Sequence, residues 1–216
     1  MNVSPGALVR RLLGDRGARV AGRAYRSVFV DLDGEIEAIA AEIPQHAHVL
    51  DVGGGDGEPL DRLLARRADV RVTTIDVAKE VGKWIAPRHA PRVERRPRTT
   101  LAAHLASGAP LPDVLLLADV VHHVAPAHRA AFLGPVAELF RRQPRLRLIV
   151  KDVEPGHWRS TLGYLSDRYV TADRGVAPIG RAELVDLVRG ACGPLRWRET
   201  PLHDRDPPNY ALVFER

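Results

Sequence analysis

Cysteine is almost absent from this chain. The single Cys192 among 216 residues cannot form an internal disulfide, and it excludes a zinc site built on paired cysteines. A reducing compartment, the cytoplasm, is the simplest expectation. Aromatic residues are scarce, at 5%. No apolar run approaches the roughly 20 residues that a membrane helix needs, and the first residues lack the apolar stretch of a secretory signal. Lysine is rare too: Lys79, Lys83 and Lys151 are the only ones among 32 basic residues. The rest are arginine, which with abundant alanine and proline reads as coding bias in a GC-rich genome. The net charge of +5 is dispersed along the chain and alternates with Asp and Glu. That dispersal argues against a nucleic-acid partner and against a membrane surface.

What is present is ordinary for one globular domain: 45% hydrophobic and 27% charged residues. Residues 3–13 read as a short amphipathic helix, 14–26 as a loop, and 27–42 as a helix stopped by Pro44. Together, residues 1–45 are expected to form an N-terminal helical cap on a core domain of residues 46–216. From His48 onward, short apolar runs alternate with helical stretches. Strands are expected at 48–52, 70–75, 92–95, 113–118, 146–151, 194–199 and 209–214. Helices are expected at 57–68, with Asp56 as N-cap, and at 77–86, 99–107, 126–141 and 180–190. This alternation predicts an α/β fold with a parallel sheet covered on both faces. In such sheets the ligand sits at the carboxyl ends of the strands.

The stretch after the first strand reads Asp51-Val52-Gly53-Gly54-Gly55-Asp56-Gly57-Glu58. It is not a Walker loop, because Gly57 is followed by Glu58 and Pro59 rather than by Lys and Ser or Thr. It also fails the Gly-x-Gly-x-x-Gly spacing of dinucleotide folds, and its carboxylates would repel a pyrophosphate. What it does match is Asp-x-Gly-x-Gly-x-Gly, at Asp51, Gly53, Gly55 and Gly57. Asp76 ends the second expected strand, 25 residues after Asp51. A carboxylate there can accept hydrogen bonds from both hydroxyls of a ribose.

On these residues the chain resembles the class I S-adenosylmethionine-dependent methyltransferases of the small-molecule type, over roughly residues 46–216. The resemblance implies a Rossmann-like, seven-stranded, mostly parallel sheet with helices on both faces and an antiparallel C-terminal strand. It implies S-adenosylmethionine as cofactor, with Asp51, Gly53, Gly55 and Gly57 near its methionine part and Asp76 on the ribose. Val77 would pack on the adenine. The region where the family often carries an adenine-binding acid reads Arg95-Arg96-Pro97-Arg98-Thr99-Thr100, with no carboxylate, so backbone groups and the hydroxyl of Thr99 or Thr100 are the expected substitutes. The segment 113–124, DVLLLADVVHHV, is similar to the family's fourth motif. Asp119 and Val120 would lie beside the methionine part, and His122 and His123 at the mouth, where His123 is favoured as general base. Asp152 would orient a substrate or a base, whereas Lys151 is expected to pair with neighbours. No metal is expected.

Residues 153–178 form a long connection holding His157, Trp158, Tyr164 and Tyr169. Long connections at the ligand end of a sheet are often lids. Asp206-Pro207-Pro208-Asn209-Tyr210 is similar to a signature of enzymes that methylate amino groups of nucleic-acid bases, but it lies between the last two strands and reads as a turn. The expected activity is methyl transfer to an oxygen, nitrogen or carbon of a small-molecule acceptor, with a homodimer left open. The alternatives are an RNA or protein methyltransferase, or a non-methylating cyclase or eliminase that binds the same cofactor.

Overall fold

The computed structural model describes residues 31–157, 176–202 and 208–216. Seven strands form one sheet: β1 (His48–Val52), β2 (Arg71–Asp76), β3 (Val93–Pro97), β4 (Val114–Ala118), β5 (Arg147–Val153), β6 (Arg196–Thr200) and β7 (Asn209–Glu215). Their order across the sheet is β3-β2-β1-β4-β5-β7-β6. The pairs β1–β2, β1–β4, β2–β3 and β4–β5 are parallel, and β7 runs antiparallel to both β5 and β6. The expected Rossmann-like sheet with an antiparallel C-terminal strand is what the chain forms.

The central strands carry apolar residues through their middles because both faces are covered. Leu50, Val52, Leu115, Leu117, Leu148 and Val150 pack against α3 (Leu101–Ala106), α4 (Pro126–Arg142) and α5 (Arg181–Cys192). The alternate residues Val49, Val114, Leu116 and Ile149 pack against α1 (Leu32–Glu42) and α2 (Glu58–Arg66). This two-residue alternation assigns each side chain to one face or the other. Of the expected cap, residues 1–30 lie outside the described residues. Its last part, α1, starts at Asp31, whose carboxylate accepts the Gly34 N–H, and it sends Ile36, Ile39 and Ala40 into the core.

Two local expectations are corrected. The N-cap of α2 is Gly57, in left-handed backbone at φ 83°, and Asp56 accepts the Glu58 N–H from one position earlier. Residues 77–86 form no helix, and a 3-10 helix follows at Pro87–Arg92. The reason is tertiary. The amides of this segment are taken by partners elsewhere: Ala78 by Asp76, Gly82 by the Gly55 carbonyl, Trp84 by the Asp56 carbonyl and Ala86 by Asp61. Residues 77–86 therefore form a wall laced to the glycine loop. Strand order reverses between β1 and β4, so the loops that follow these two strands face one crevice.

Candidate cofactor and methyl-transfer site

Asp51 and Thr74 are register partners on β1 and β2, and both are buried. The Thr74 hydroxyl donates to Asp51 Oδ2 at 2.7 Å. Burial pushes the Asp51 carboxyl up to about 7; the Thr74 donor opposes this, and the nearby charge of Asp76 adds to it. Gly54 lies against this pair. A Cβ at Gly54 would come within 1.9 Å of Thr74 Oγ1 and 2.5 Å of Asp51 Oδ2, so only glycine fits. Gly53 needs glycine on two counts: its φ is +78°, and a Cβ there would meet Val120 Cγ2 at 2.7 Å.

The loop amides turn inward. Gly53 and Gly54 both donate to the Ile75 carbonyl, Gly55 to Asp76 Oδ2 at 2.9 Å, Gly57 to the Gly54 carbonyl and Glu58 to Asp56. A phosphate cradle needs such amides aimed at the ligand. Here they are spent on the protein, and carboxylates stand beside the loop instead.

Asp76 holds this end of the site together. Its Oδ2 accepts from Gly55 and its Oδ1 from Ala78, while its main-chain carbonyl accepts from Thr99 at 2.8 Å. Each carboxylate oxygen keeps a lone pair for a further donor. Val77, next in the chain, is 75% exposed. The Thr99 hydroxyl donates to the Pro97 carbonyl, which leaves its oxygen as an acceptor. The turns after β2 and β3 are thus joined, with Val77 and Thr99 among their residues.

Across the crevice, Asp119 has left-handed backbone at φ 56°. Lys151 Nζ lies 2.9 Å from each of its carboxylate oxygens and 3.3 Å from Glu35 Oε1. Burial opposes the charge of Lys151, but the carboxylates of Asp119 and Glu35 outweigh it and hold the lysine cationic. The Asp119 side chain is 47% exposed, so little opposes its charge, and Lys151 and His122 hold its carboxyl below the ordinary range.

His122 and His123 lie in a 3-10 turn, Val121–His123, rather than in extended chain, and they separate. His122 is buried and His123 is exposed, with ring centroids 4.2 Å apart. His122 Nδ1 is 2.7 Å from Asp152 Oδ1, and its main-chain N–H donates to Asp152 Oδ2. Asp152 is fully buried and also accepts the Val153 N–H. With a carboxylate as partner, Nδ1 carries the proton, a tautomer assigned from this network. Asp119, His122 and Asp152 are the only three such residues, among the described residues, with donor atoms close enough for one cation. Within this set Asp119 pairs with Lys151 and Asp152 with His122.

The structure therefore brings Asp51, Gly53, Gly55, Asp76 and Val120 around one crevice. Lys151 joins Asp119 to this end of the sheet, and His122 joins Asp152 there. Thr74, Gly54 and Glu35 belong to the arrangement and were missed. Thr74 looks in sequence like any strand threonine, and Glu35 like the polar face of an amphipathic helix. Gly54 falls between the spaced glycines of the motif. Trp158, Tyr164 and Tyr169 lie outside the described residues. Tyr210 is fully buried in β7, donating to the Ile179 carbonyl, so it serves the core.

No family model matches the chain, and no curated protein matches it by sequence. Solved structures do match its fold. Human N-acetylserotonin methyltransferase in complex with S-adenosylmethionine superposes with a TM-score of 0.64 at 16% identity, over 96% of this chain and 57% of that one. The fold is that of the S-adenosylmethionine-dependent methyltransferases. The dimethyltransferase of 8-amino-8-demethyl-D-riboflavin from Streptomyces davawensis matches at 0.66 and 18%, over 98% of this chain and 59% of its own. A methyltransferase of calicheamicin biosynthesis, bound to S-adenosylhomocysteine, matches at 0.65 and 23%, over 96% and 60%. This chain thus spans about three fifths of the length of each of these enzymes.

Proposed function

We propose that this chain transfers the methyl group of S-adenosylmethionine to an oxygen, nitrogen or carbon of a small-molecule acceptor, in secondary metabolism. One observation carries the reading. The amides of the glycine loop are consumed internally, while Asp51 and Asp76 present carboxylates beside it. That arrangement suits a ligand with an ammonium and a ribose diol and disfavours a pyrophosphate. The solved structures add support, since two of them hold S-adenosylmethionine or its demethylated product.

In this reading Asp76 takes the ribose hydroxyls with its remaining lone pairs, and Asp51 supplies negative charge to the ammonium, directly or through water. Val77 covers the adenine, and the Thr99 oxygen accepts from its amine. Asp119 and Val120 border the methionine part. The cofactor supplies an activated methyl on a sulfonium, which is already a good leaving group. The protein therefore has to align the acceptor behind that methyl and exclude water. A hydroxyl acceptor must also lose a proton. The favoured base shifts from His123 to His122, because His122 is held by a buried carboxylate as an oriented base is, while His123 lies at the rim.

The test is calorimetry of the purified protein with S-adenosylmethionine and S-adenosylhomocysteine, followed by methylation assays on phenolic and amine acceptors. Absence of binding to either ligand would sink the reading. The lack of a carboxylate over residues 95–100 favours one second reading, a non-methylating enzyme that keeps the cofactor. Release of S-adenosylhomocysteine in step with product excludes that alternative.

A further inference from the structure

Lys151 lies on β5 and is 3% exposed. It grips Asp119 from two sides. Its main-chain carbonyl accepts the Asp119 N–H at 2.9 Å, and its ammonium meets both Asp119 carboxylate oxygens. Asp119 sits in left-handed backbone, a region that aspartate tolerates better than most residues but that still costs energy, and its contacts with Lys151 hold it there. The residues that follow depend on it. Val120 rests over Gly53 of the glycine loop, and His122 reaches Asp152. On its other side the ammonium pairs with Glu35, which is buried on α1.

We propose that Lys151 is a positioning residue for the cofactor site, fixing the left-handed turn at Asp119 so that residues 119–122 face the glycine loop, with Glu35 anchoring it to α1. This rests on the methyltransferase reading and adds to it a device no motif contains. Lysine suits the role because its ammonium has three donors and can serve two carboxylates at once. Buried charges of this kind need partners on every side, so loss of one member disturbs the others. Two carboxylates against one ammonium also leave a net negative charge beside a cationic cofactor.

The test measures S-adenosylhomocysteine affinity by calorimetry, with thermal melts, for wild type, Lys151→Met, Asp119→Asn, the double variant and Glu35→Gln. Both single variants and the double should lose affinity by the same factor, about tenfold or more, because each breaks the same grip. Glu35→Gln should lose less, about threefold, because both contacts of Lys151 with the Asp119 carboxylate remain. If Lys151→Met does not fold, the double variant, which removes both charges of the pair, stands in for it beside Asp119→Asn. A lowered melting temperature with unchanged affinity in Lys151→Met or the double variant would show a merely structural lysine and overturn the proposal, as would losses that multiply in the double. Unchanged affinity in Glu35→Gln overturns the part given to α1. Wild-type protein that binds neither S-adenosylmethionine nor S-adenosylhomocysteine removes the functional reading itself, whereas normal wild-type binding with indifferent variants removes only the positioning role.

Discussion

The Thr74 hydroxyl donates to the Asp51 carboxylate at 2.7 Å, level with it on the neighbouring strand and shielded from solvent. Burial pushes the Asp51 carboxyl up to about 7, and the neutral Thr74 donor, the one side-chain donor to it among the described residues, offsets only part of that. A buried acid of this kind is matched to a ligand that brings a positive charge.

Cofactor binding should therefore depend on pH. Below about 7 the free protein holds Asp51 protonated, so binding an ammonium requires release of that proton. Affinity for S-adenosylhomocysteine should rise by up to about tenfold per pH unit between pH 6 and 7 and level off above. The free fold shows the opposite sign. The folded pKa lies above the unfolded one, so the associated stability is fully present below about 4 and is lost as pH rises through 7. Its upper magnitude is roughly 4 kcal/mol. Calorimetry and melting curves at pH 6 and 8 check both statements, and Asp51→Asn should flatten both profiles.

Asp76 binds Gly55 and Ala78 while keeping a lone pair on each oxygen for the ribose. Asp76→Ala removes the loop anchor and the ribose acceptor together. Hydrogen bonds to a charged group are worth about 1.5–3 kcal/mol, so affinity for S-adenosylhomocysteine should fall by one to two orders of magnitude. Unchanged affinity by calorimetry would remove the ribose assignment.

Much of this was legible in the sequence. β1, β4 and β5 are legible from the short apolar runs of strands covered on both faces, Val49-Leu50, residues 114–118 and residues 148–150. The glycine loop and Asp76 were plain from spacing. The helix expected over 77–86 does not form because the amides of Gly82 and Trp84 go to the carbonyls of Gly55 and Asp56, a long-range choice that local pattern does not encode. The 3-10 turn that separates His122 from His123 follows on the left-handed backbone at Asp119, itself gripped by Lys151 from another strand, a contact that local pattern does not encode. The missed residues all act through partners far away in the chain.

Glycines should separate by surroundings. Gly54→Ala drives a Cβ into the Asp51–Thr74 pair, and overpacking of this kind costs about 1–3 kcal/mol. Its melting temperature should fall by several degrees, with weaker cofactor binding. Gly190 lies inside α5, and a Cβ there meets nothing within 4 Å. Gly190→Ala should stabilise the protein by about 0.5–1 kcal/mol, since alanine is the better helix former. Melting curves that rank the two variants the other way would contradict the packing described for the loop.

The two histidines provide the sharpest functional contrast. His122 is oriented through Nδ1 by Asp152, so its Nε2 is the basic nitrogen when the ring is neutral. Once an acceptor is found, His122→Ala should lower kcat for methylation of a hydroxyl by about 10²–10⁴, the usual worth of general-base catalysis. Asp152→Asn should lower it less, because it disturbs the orientation and tautomer of a base that is still present. His123→Ala should keep most of kcat and raise KM if the exposed ring borders the acceptor. None of the three should change affinity for S-adenosylhomocysteine by more than about threefold, provided each folds as judged by its melting curve. The reverse pattern, a large kcat loss only in His123→Ala, would return the base to the rim and leave His122 as a support for the sheet end.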